Sequence, residues 1–304
     1  MTFDKRGALM EVTIPGMDKI QGKVRDIYDL GDKMLIIVTD RLSAFDVIMD
    51  DGVPGKGKVL NSISTFWFRK FAEVCPNHLI SADIKDYPAP FNAMPELQNR
   101  SMLVRKLKVV PYECIVRGYL TGSGWAEYQK HGTVNGQKLR EGYQNASKLD
   151  EVLFTPTTKA EIGDHDMAIS VEDMAKDIGT ELATKLKDLS IKFYSEAAKF
   201  AESRGIILAD TKFEFGMDEE GNIVLADEVL TPDSSRFWAT STYAVGSNPP
   251  SMDKQFVRDW LDSINFNHQP PAPALPDEVI QKTQDIYAEC YNRLTEGEAC
   301  APVL

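Results

Sequence analysis

The segment that most constrains the fold is a strand-like stretch over residues 206–216, which is followed by a second stretch over residues 222–230. Side chains alternate along the first stretch, and successive residues of a β-strand point to opposite faces. One face therefore carries Leu208, Asp210, Lys212 and Glu214. The other carries Ala209, Thr211, Phe213 and Phe215. The pattern predicts an antiparallel hairpin with one charged face and one face in the core.

The predicted turn between these strands, centred on Glu219 and Glu220, places Asp227 opposite Lys212. Carboxylates crowded around one ammonium group are costly unless a cation or a ligand balances them. Carboxylate oxygens suit Mg²⁺ that carries nucleotide phosphates. The hairpin is thus a candidate metal–nucleotide site, and the solvated polar face of an ordinary hairpin is the alternative that this pattern leaves open.

The remaining elements follow from hydrophobic periodicity and from turn residues. In chain order they are a β-hairpin over 23–39, a helix over 61–73, a proline-containing loop over 76–100, strands over 102–110 and 112–120, a short helix opening at 122, the longest helix over 170–205, and a helix over 277–294. Strands and helices alternate without a repeating unit. This order favours an α+β fold built on antiparallel sheets over a βαβ wheel.

One motif resembles a phosphate-binding loop but fails its test. Residues 52–58 nearly spell G-x-x-x-x-G-K-[ST], yet Val59 stands where a hydroxyl group must bind magnesium. The sequence therefore argues against a true phosphate loop. A turn that precedes a helix, or a basic loop that lines a substrate pocket, fits these residues better.

A second motif is a better candidate for anion binding. Arg117 ends a predicted strand, and Gly122 and Ser123 open a helix. A helix N-terminus beside a guanidinium group forms a phosphate site. Taken alone, the motif is explained better by a surface arginine and an ordinary serine cap.

Composition excludes several classes of function. The chain has 304 residues and a formal net charge of −12, so it is a poor candidate for sequence-independent nucleic-acid binding. Its four cysteines lack C-x-x-C spacing, which argues against a zinc site and is typical of free thiols in a reducing cytosol. No signal peptide is evident, and no apolar run approaches the about 18 residues of a transmembrane helix. We therefore expect a cytoplasmic protein with no nucleic-acid or membrane partner.

The motifs occur in an order that resembles the SAICAR synthetase family. The matching blocks are G-K-V-R-D-I-Y (22–28), T-D-R-L-S-A-F-D (39–46), P-Y-E-C-I-V-R-G-Y-L-T-G-S (111–123), L-A-D-T-K-F-E-F-G (208–216) and D-E-V-L-T-P-D-S-S-R-F-W (227–238). The resemblance covers about residues 20 to 260. The length, with its C-terminal extension, is similar to the longer, yeast-like form of the family, which favours a monomer.

The resemblance implies a fold and a reaction. It implies a kinase-like antiparallel-sheet lobe that binds ATP, expected over residues 1–110, and a second α/β lobe over residues 111–304, with the active site in the cleft between them. It implies that ATP and Mg²⁺ are used to join the carboxylate of carboxyaminoimidazole ribotide (CAIR) to the amine of L-aspartate, which yields SAICAR, ADP and phosphate through an acyl phosphate.

The resemblance also implies roles for individual residues. Those expected to bind ATP are Lys23 and Arg25 at the phosphates, the backbone of Lys106, Leu107, Lys108 and Val109 at adenine, and Glu214 and Asp227 through Mg²⁺. Those expected to bind CAIR are Arg117, Ser123 and Arg236 at its phosphate, with Asp210, Lys212, Lys159 and Asp166. Those expected to line the pocket for aspartate or CAIR are Arg41, Ser43, Asp46, Lys56 and Lys58. The catalytic groups would be Lys212, Asp210 and Asp227.

Two other functions remain compatible with the residues alone. One is a small-molecule kinase on a similar scaffold, which would transfer phosphate to a hydroxyl group and make a phosphate ester instead of an amide. The other is a nucleotide-binding module without catalysis. Such a module would have no need for both carboxylates of the hairpin, Glu214 and Asp227.

Overall fold

The computed structural model describes residues 1–159 and 167–296 of the chain. Its strands are β1 (Thr2–Phe3), β2 (Leu9–Glu11), β3 (Lys19–Gln21), β4 (Arg25–Asp29), β5 (Lys33–Val38), β6 (Ser43–Ala44), β7 (Val47–Ile48), β8 (Leu79–Ser81), β9 (Ser101–Arg105), β10 (Lys108–Val109), β11 (Tyr112–Leu120), β12 (Thr133–Val134), β13 (Gln137–Lys138), β14 (Ser147–Phe154), β15 (Thr157–Thr158), β16 (Ile206–Met217), β17 (Ile223–Ala226) and β18 (Ser235–Ala239). Its helices are α1 (Lys56–Lys70), α2 (Gly122–His131), α3 (Val171–Ile178), α4 (Thr180–Glu202), α5 (Gln255–Ser263) and α6 (Asp277–Thr295).

Two antiparallel sheets organise the fold. The N-terminal sheet has the order β3-β4-β5-β9-β8, and the predicted hairpin over 23–39 forms its centre. The C-terminal sheet has β10-β16-β11-β14 as its main path, with β17 and β18 also pairing with β16 and β15 pairing with β11. The predicted α+β class is therefore confirmed.

One helix covers each sheet, and apolar burial holds it there. Helix α1 packs on the N-terminal sheet, where Val59, Ile63 and Trp67 are almost fully buried. Helix α4 packs on the C-terminal sheet, where the rings of Phe193 and Phe213 pack at a tilt with their centroids 5.6 Å apart. Burial of one such side chain contributes about 1.5–3 kcal/mol. The two packing regions form one continuous core.

Two helix predictions were wrong at their boundaries. Helix α1 begins at Lys56 and not at residue 61, so Lys56 and Lys58 lie in its first turn and not in a loop. The longest predicted helix is two helices, because Gly179 with a φ of 88° separates α3 from α4. Its start is as predicted, since the Ser170 hydroxyl accepts the N–H of Asp173.

The C-terminal part of the chain packs back onto N-terminal residues. Helix α5, which the sequence patterns did not indicate, and α6, which they did, bury an apolar cluster against residues 42–53. Gln284 of α6 also donates a hydrogen bond of 2.8 Å to the carbonyl group of Pro54. These contacts hold the turn that leads into α1.

The structure also bears on two expectations from composition, the free cysteines and the transmembrane helices. Cys75, Cys114 and Cys290 are buried free thiols, while Cys300 lies outside the described residues. Within residues 1–159 and 167–296, no helix has both the length and the apolar character that a membrane crossing requires.

Candidate active site

The charged face of β16 forms the floor of the candidate site. Asp210 and Lys212 are half-buried and Glu214 is 4% exposed, whereas Phe213 and Phe215 on the opposite face are fully buried. The predicted alternation of a charged face and a core face is therefore confirmed. Burial of the charged face shows that it is not the solvated surface of an ordinary hairpin.

The predicted register of the hairpin was wrong by one residue. Glu214 pairs with Ala226, where β17 ends, so Asp227 does not lie opposite Lys212 in the ladder. Asp227 has a φ of 62°, a left-handed conformation that is uncommon outside glycine. The turn brings its carboxylate against Arg25, which donates hydrogen bonds to both oxygens.

Lys212 lies at the centre of a network of ion pairs. Its Nζ donates to Glu113 Oε1 at 2.8 Å and to Glu214 Oε1 at 2.5 Å. Lys159 donates to the other oxygen of Glu214. Glu113, on the neighbouring strand β11, was not identified from the sequence, where nothing distinguishes it from an ordinary strand glutamate.

Arg25 completes the balance of charge in this cluster. Besides Asp227, it donates a hydrogen bond of 2.9 Å to Glu228 Oε1. The prediction of an anionic cluster around one ammonium group was therefore incomplete, because Arg25 and Lys159 add two more cations. Such compensation is what allows charged groups to stay buried.

Lys212 and Asp227 have pKa values that their charged neighbours shift strongly. Burial alone would lower the pKa of Lys212, but Glu214, Asp227 and Glu113 raise it well above its ordinary value. Burial alone would raise the pKa of Asp227, but the positive charges of Arg25 and Lys212 hold it well below its usual range. Both side chains therefore keep their charge at neutral pH.

A second subsite lies further along the same face of β16. Arg117 donates to Asp210 Oδ2 at 3.2 Å, to Thr155 at 3.1 Å and to Ser123 at 3.3 Å. Arg236 donates to the same oxygen of Asp210 at 2.7 Å. Burial lowers the pKa of Arg117, although Asp210 opposes this shift. The structure thus brings the predicted anion-binding residues together.

A cavity of about 220 Å³ lies beside these residues, next to the N-terminus of α2. Its polar lining consists of Arg117, Ser123, Asn135, Thr155 and Thr157 together with the carboxylate of Glu127. Gly122, with a φ of 56°, lets Arg236 approach, because a Cβ there would lie 2.9 Å from a guanidinium nitrogen. Backbone N–H groups at a helix start favour anions.

The predicted pocket residues of the N-terminal sheet divide into two groups. Lys23 and Asp46 are exposed and pair at 2.5 Å, whereas Ser43 is half-buried in β6. Arg41 is 5% exposed, and its guanidinium group donates to Asp26 and to backbone carbonyl groups of the 22–25 segment. Arg41 therefore positions that segment.

The two lysines of α1 also differ in their surroundings. Lys56 is 1% exposed, and its Nζ donates to Asp233 Oδ2 at 2.7 Å. Lys58 is half-buried in the first helical turn. Gly57 is explained by packing and not by phosphate binding, because a Cβ there would lie 2.2 Å from the carbonyl oxygen of Val38.

The predicted adenine-binding segment, residues 106–109, connects the two sheets. Lys106 is exposed and pairs with Asp29 at 2.5 Å, while Lys108 and Val109 are exposed in the edge strand β10. Leu107 packs on Gly216, where a Cβ would lie 2.6 Å from the leucine Cβ. Asp166, the last predicted residue, lies outside the described residues.

One part of the site was missed entirely by sequence reasoning. Lys254 and Arg258, at the start of α5, line a cavity of about 170 Å³ together with Ser235, Arg236 and the carboxylates of Asp210, Asp233 and Asp253. Burial lowers the pKa of Lys254. The Nε atom of Arg258 is buried without a hydrogen-bond partner among the described residues. A short charged segment of this kind cannot be told from a surface helix without the fold.

Comparison with known proteins agrees with this geometry. A family model described as SAICAR synthetase matches residues 18–273. The phosphoribosylaminoimidazole-succinocarboxamide synthase of Neisseria meningitidis serogroup B is 54% identical over 283 residues, which cover 92% of this chain and 98% of that protein. The enzyme of the same name from Cupriavidus metallidurans is 52% identical, over 96% of this chain and 98% of that protein.

Solved structures lead to the same conclusion. The SAICAR synthase of Saccharomyces cerevisiae, solved with SAICAR, is 41% identical with a TM-score of 0.88, over 96% of this chain and 100% of that one. The likeness to the longer, yeast-like form is therefore confirmed. The SAICAR synthetase of Pyrococcus horikoshii, at 24% identity and a TM-score of 0.63, covers 91% of this chain and 100% of its own and shows the fold alone. The chain therefore belongs to the SAICAR synthetase family and is a ligase of purine biosynthesis.

Proposed function

We propose that this ligase uses ATP to join the carboxylate of CAIR to the amine of L-aspartate through an acyl phosphate, with the charged face of β16 as the reaction floor. The observation that carries the proposal is the order of groups along this one strand. Glu214 and Lys212 lie beside Asp227, while Asp210 lies between Arg117 and Arg236. A phosphoryl donor at one end and an anionic substrate at the other would meet over Lys212.

The chemistry requires two steps. A carboxylate is a poor acyl donor until one of its oxygens becomes part of a leaving group. In the first step that oxygen attacks the γ-phosphorus atom of ATP, and the bond to the β-phosphate oxygen breaks to release ADP. In the second, the aspartate nitrogen attacks the acyl carbon, the bond from carbon to the phosphate oxygen breaks, and the nitrogen loses a proton to solvent. Lys212 supplies positive charge in both steps, since fixed charges stabilise such transition states strongly.

The donor groups present fit a magnesium ion held with nucleotide phosphates. Glu214 and Asp227 offer hard oxygen ligands, and both are at present paired with lysine or arginine. Within residues 1–159 and 167–296, no cluster of three or more acidic, histidine or cysteine side chains could hold a metal alone. This agrees with Mg²⁺, which takes one or two carboxylates and completes its shell with phosphates and water. When bound, it would neutralise the charge on the β- and γ-phosphates.

The second cavity, beside α5, is proposed as the subsite for L-aspartate. Two of its three cations, Lys254 and Arg258, form no salt bridge within 4.0 Å among the described residues, in contrast to Arg236, Lys212 and Arg25, and Asp233 and Asp253 also line the cavity. L-aspartate presents two carboxylates next to its reacting amine. The cavity also borders Asp210, which is close to the expected position of CAIR.

Two further parts of the proposal concern organisation. We propose a division into lobes at residues 1–110 and 111–304, because β9 of the N-terminal sheet ends at Arg105 and β11 of the C-terminal sheet begins at Tyr112, while β10 between them pairs with β16 of the C-terminal sheet. The monomeric state stays a prediction from the length of the chain.

Replacing Arg117 by alanine should raise the KM for CAIR roughly 10- to 100-fold, because a charged hydrogen bond contributes about 1.5–3 kcal/mol. The KM for ATP should stay within about twofold, because Arg117 contacts Asp210, at the opposite end of the charged face from the proposed nucleotide site. Steady-state kinetics with each substrate varied in turn measures both values. Arg140→Ala, which removes an exposed arginine paired with Asp150, is the matched control. A rise in the KM for ATP without one for CAIR would overturn the assignment.

Replacing Lys108 by alanine should change ATP binding little, less than about threefold, because the proposed contact with adenine is made by the backbone of this segment. Lys108 is exposed, and its pairing with Met217 in the ladder does not involve the side chain. Calorimetric titration of the variant with ATP measures the affinity. A large loss of affinity would show that the side chain itself binds the nucleotide.

The acyl phosphate can be tested by isotope transfer. CAIR labelled with ¹⁸O in its carboxylate should pass one labelled oxygen to inorganic phosphate for each SAICAR formed. Mass spectrometry of the phosphate measures this transfer. Unlabelled phosphate together with labelled SAICAR would contradict the proposed intermediate.

A further inference from the structure

The C-terminal helix reaches the cleft through one buried hydroxyl group. Tyr287 of α6 is 1% exposed, and its hydroxyl donates a hydrogen bond of 2.7 Å to Asp233 Oδ1. Lys56, at the start of α1, donates at 2.7 Å to the other oxygen of the same carboxylate. The ammonium group of Lys56 also lies 5.9 Å from the centroid of the Tyr287 ring. One carboxylate thus joins three segments that are far apart in the sequence.

Asp233 belongs to the loop over residues 231–235, which lines the cavity beside α5. Thr231 Oγ1 accepts the N–H groups of Asp233 and Ser234, both at 3.2 Å. The carbonyl group of Ser234 accepts the backbone N–H of Lys212 at 3.0 Å. The orientation of Asp233 therefore affects a loop that is bonded to the strand of Lys212.

The charges around Asp233 explain why its orientation matters. Burial alone would raise the pKa of Asp233, but Lys56 and Lys254 lower it below its usual range. Asp233 is thus close enough to interact with both lysines, yet its hydrogen bonds go to Lys56 and Tyr287. If the carboxylate turned towards Lys254, it would neutralise a cation that the aspartate subsite needs.

We propose that Tyr287 is a positioning residue whose hydroxyl holds Asp233 on Lys56 and so keeps Lys254 and Arg258 available for the carboxylates of L-aspartate. The inference rests on the proposed function, because the assignment of aspartate to this cavity is part of it. It gives α6 a role in substrate binding in addition to its packing on α1.

The test is Tyr287→Phe in the full-length protein, because this change removes one oxygen atom and keeps the ring. The KM for L-aspartate should rise about five- to twentyfold, because the variant loses a hydrogen bond to a charged group and part of that lost free energy appears as weaker aspartate binding. The kcat and the KM for ATP should stay within about twofold. Thr283→Val is the matched control, because it removes a buried hydroxyl of the same helix that bonds only to the carbonyl group of Val279. It should leave all three constants unchanged.

A second variant keeps the test decisive if the first is unstable. Asp233→Asn removes the charge that would neutralise Lys254, so the KM for L-aspartate should stay within about twofold, and Tyr287→Phe in that background should add less than about twofold. An unchanged KM for L-aspartate in Tyr287→Phe would overturn the inference, and so would a rise above about twofold in Asp233→Asn if only that variant folds. So would equal rises in the KM values of all substrates, which indicate a general loosening. A wild-type protein with no aspartate-dependent ADP release would instead overturn the proposed function itself.

Discussion

Replacing Asp227 by asparagine should lower kcat by roughly two orders of magnitude or more, because removal of one fixed charge beside a transferring phosphoryl group costs several kcal/mol in the transition state. Asparagine keeps the shape of the side chain and suits the left-handed backbone, for which Asp227 has a φ of 62°. Glu214→Gln should have a similar effect, since both carboxylates lie in the cluster around Lys212. Steady-state measurement of ADP release gives kcat for both variants.

Thermal melts separate this effect from loss of structure. Asp227→Asn should lower Tm of the protein alone modestly, because Arg25 loses one charged partner but keeps Glu228. The pKa of Asp227 is held low in the folded state, so its stabilising effect is present above about pH 4, the unfolded value, and is lost only as the pH falls further. Addition of Mg²⁺ and ATP should raise Tm less in the variant than in the wild type.

The matched control is Asp150→Asn, an identical change in an exposed ion pair with Arg140. It should leave kcat unchanged, because exposed pairs contribute about 0–1 kcal/mol to stability and Arg140 and Asp150 pair with each other and not with the cluster around Lys212. Near-normal kcat in both Asp227→Asn and Glu214→Gln would contradict the metal assignment and the mechanism that depends on it.

Replacing Lys212 by methionine should lower kcat by roughly two to three orders of magnitude, the usual loss when one fixed donor to a developing negative charge is removed. The substitution keeps most of the apolar stem and removes the charge that joins Glu113 to Glu214. Because those carboxylates then lose their common partner, some loss of stability should accompany the change. Lys212→Arg keeps the charge and should recover part of the activity.

The pH dependence of the wild-type enzyme tests the role given to Lys212. Its folded pKa is raised above the unfolded value, so its stabilising effect is complete below about pH 10 and is lost only at higher pH. We therefore expect no fall in kcat between pH 7 and 9.5 that is caused by loss of the Lys212 proton. The pH profiles of kcat for the wild type and for Lys212→Arg should have the same shape over this range. Lys176→Met, in an exposed pair with Asp173, is the control. A kcat of Lys212→Met within tenfold of the wild type would contradict an electrostatic role.

The sequence predicted best what depends on periodicity. The alternation along β16 placed Asp210, Lys212 and Glu214 on one face, because the period of a strand is two and the opposite face ends in two phenylalanines. The hairpin over 23–39 followed from two strand-like runs around Gly31, which has a φ of 92°. Both predictions depend only on residues that are close together in the sequence.

The sequence predicted less well what depends on distant contacts. The register of the hairpin depends on the geometry of its loop, in which Asp218 accepts hydrogen bonds from the backbone N–H groups of Glu220 and Asn222. Sequence alone did not give this geometry, so the predicted register was wrong by one residue. The start of α1 was missed because Lys56 reads as a loop cation until Asp233 is known to be its partner. Glu113 and Arg258 could not be identified from the sequence, because their surroundings are formed by elements that are distant in the chain.

The central claim is that ATP is used to form an amide bond between CAIR and L-aspartate. The most direct measurement is steady-state ADP release from Mg-ATP in four mixtures, with both substrates, with each one alone and with neither, combined with mass analysis of the product. We predict sustained ADP release only with both substrates, and one SAICAR amide for each ADP. Sustained ADP release with CAIR alone, or a phosphate ester as the product, would contradict the account.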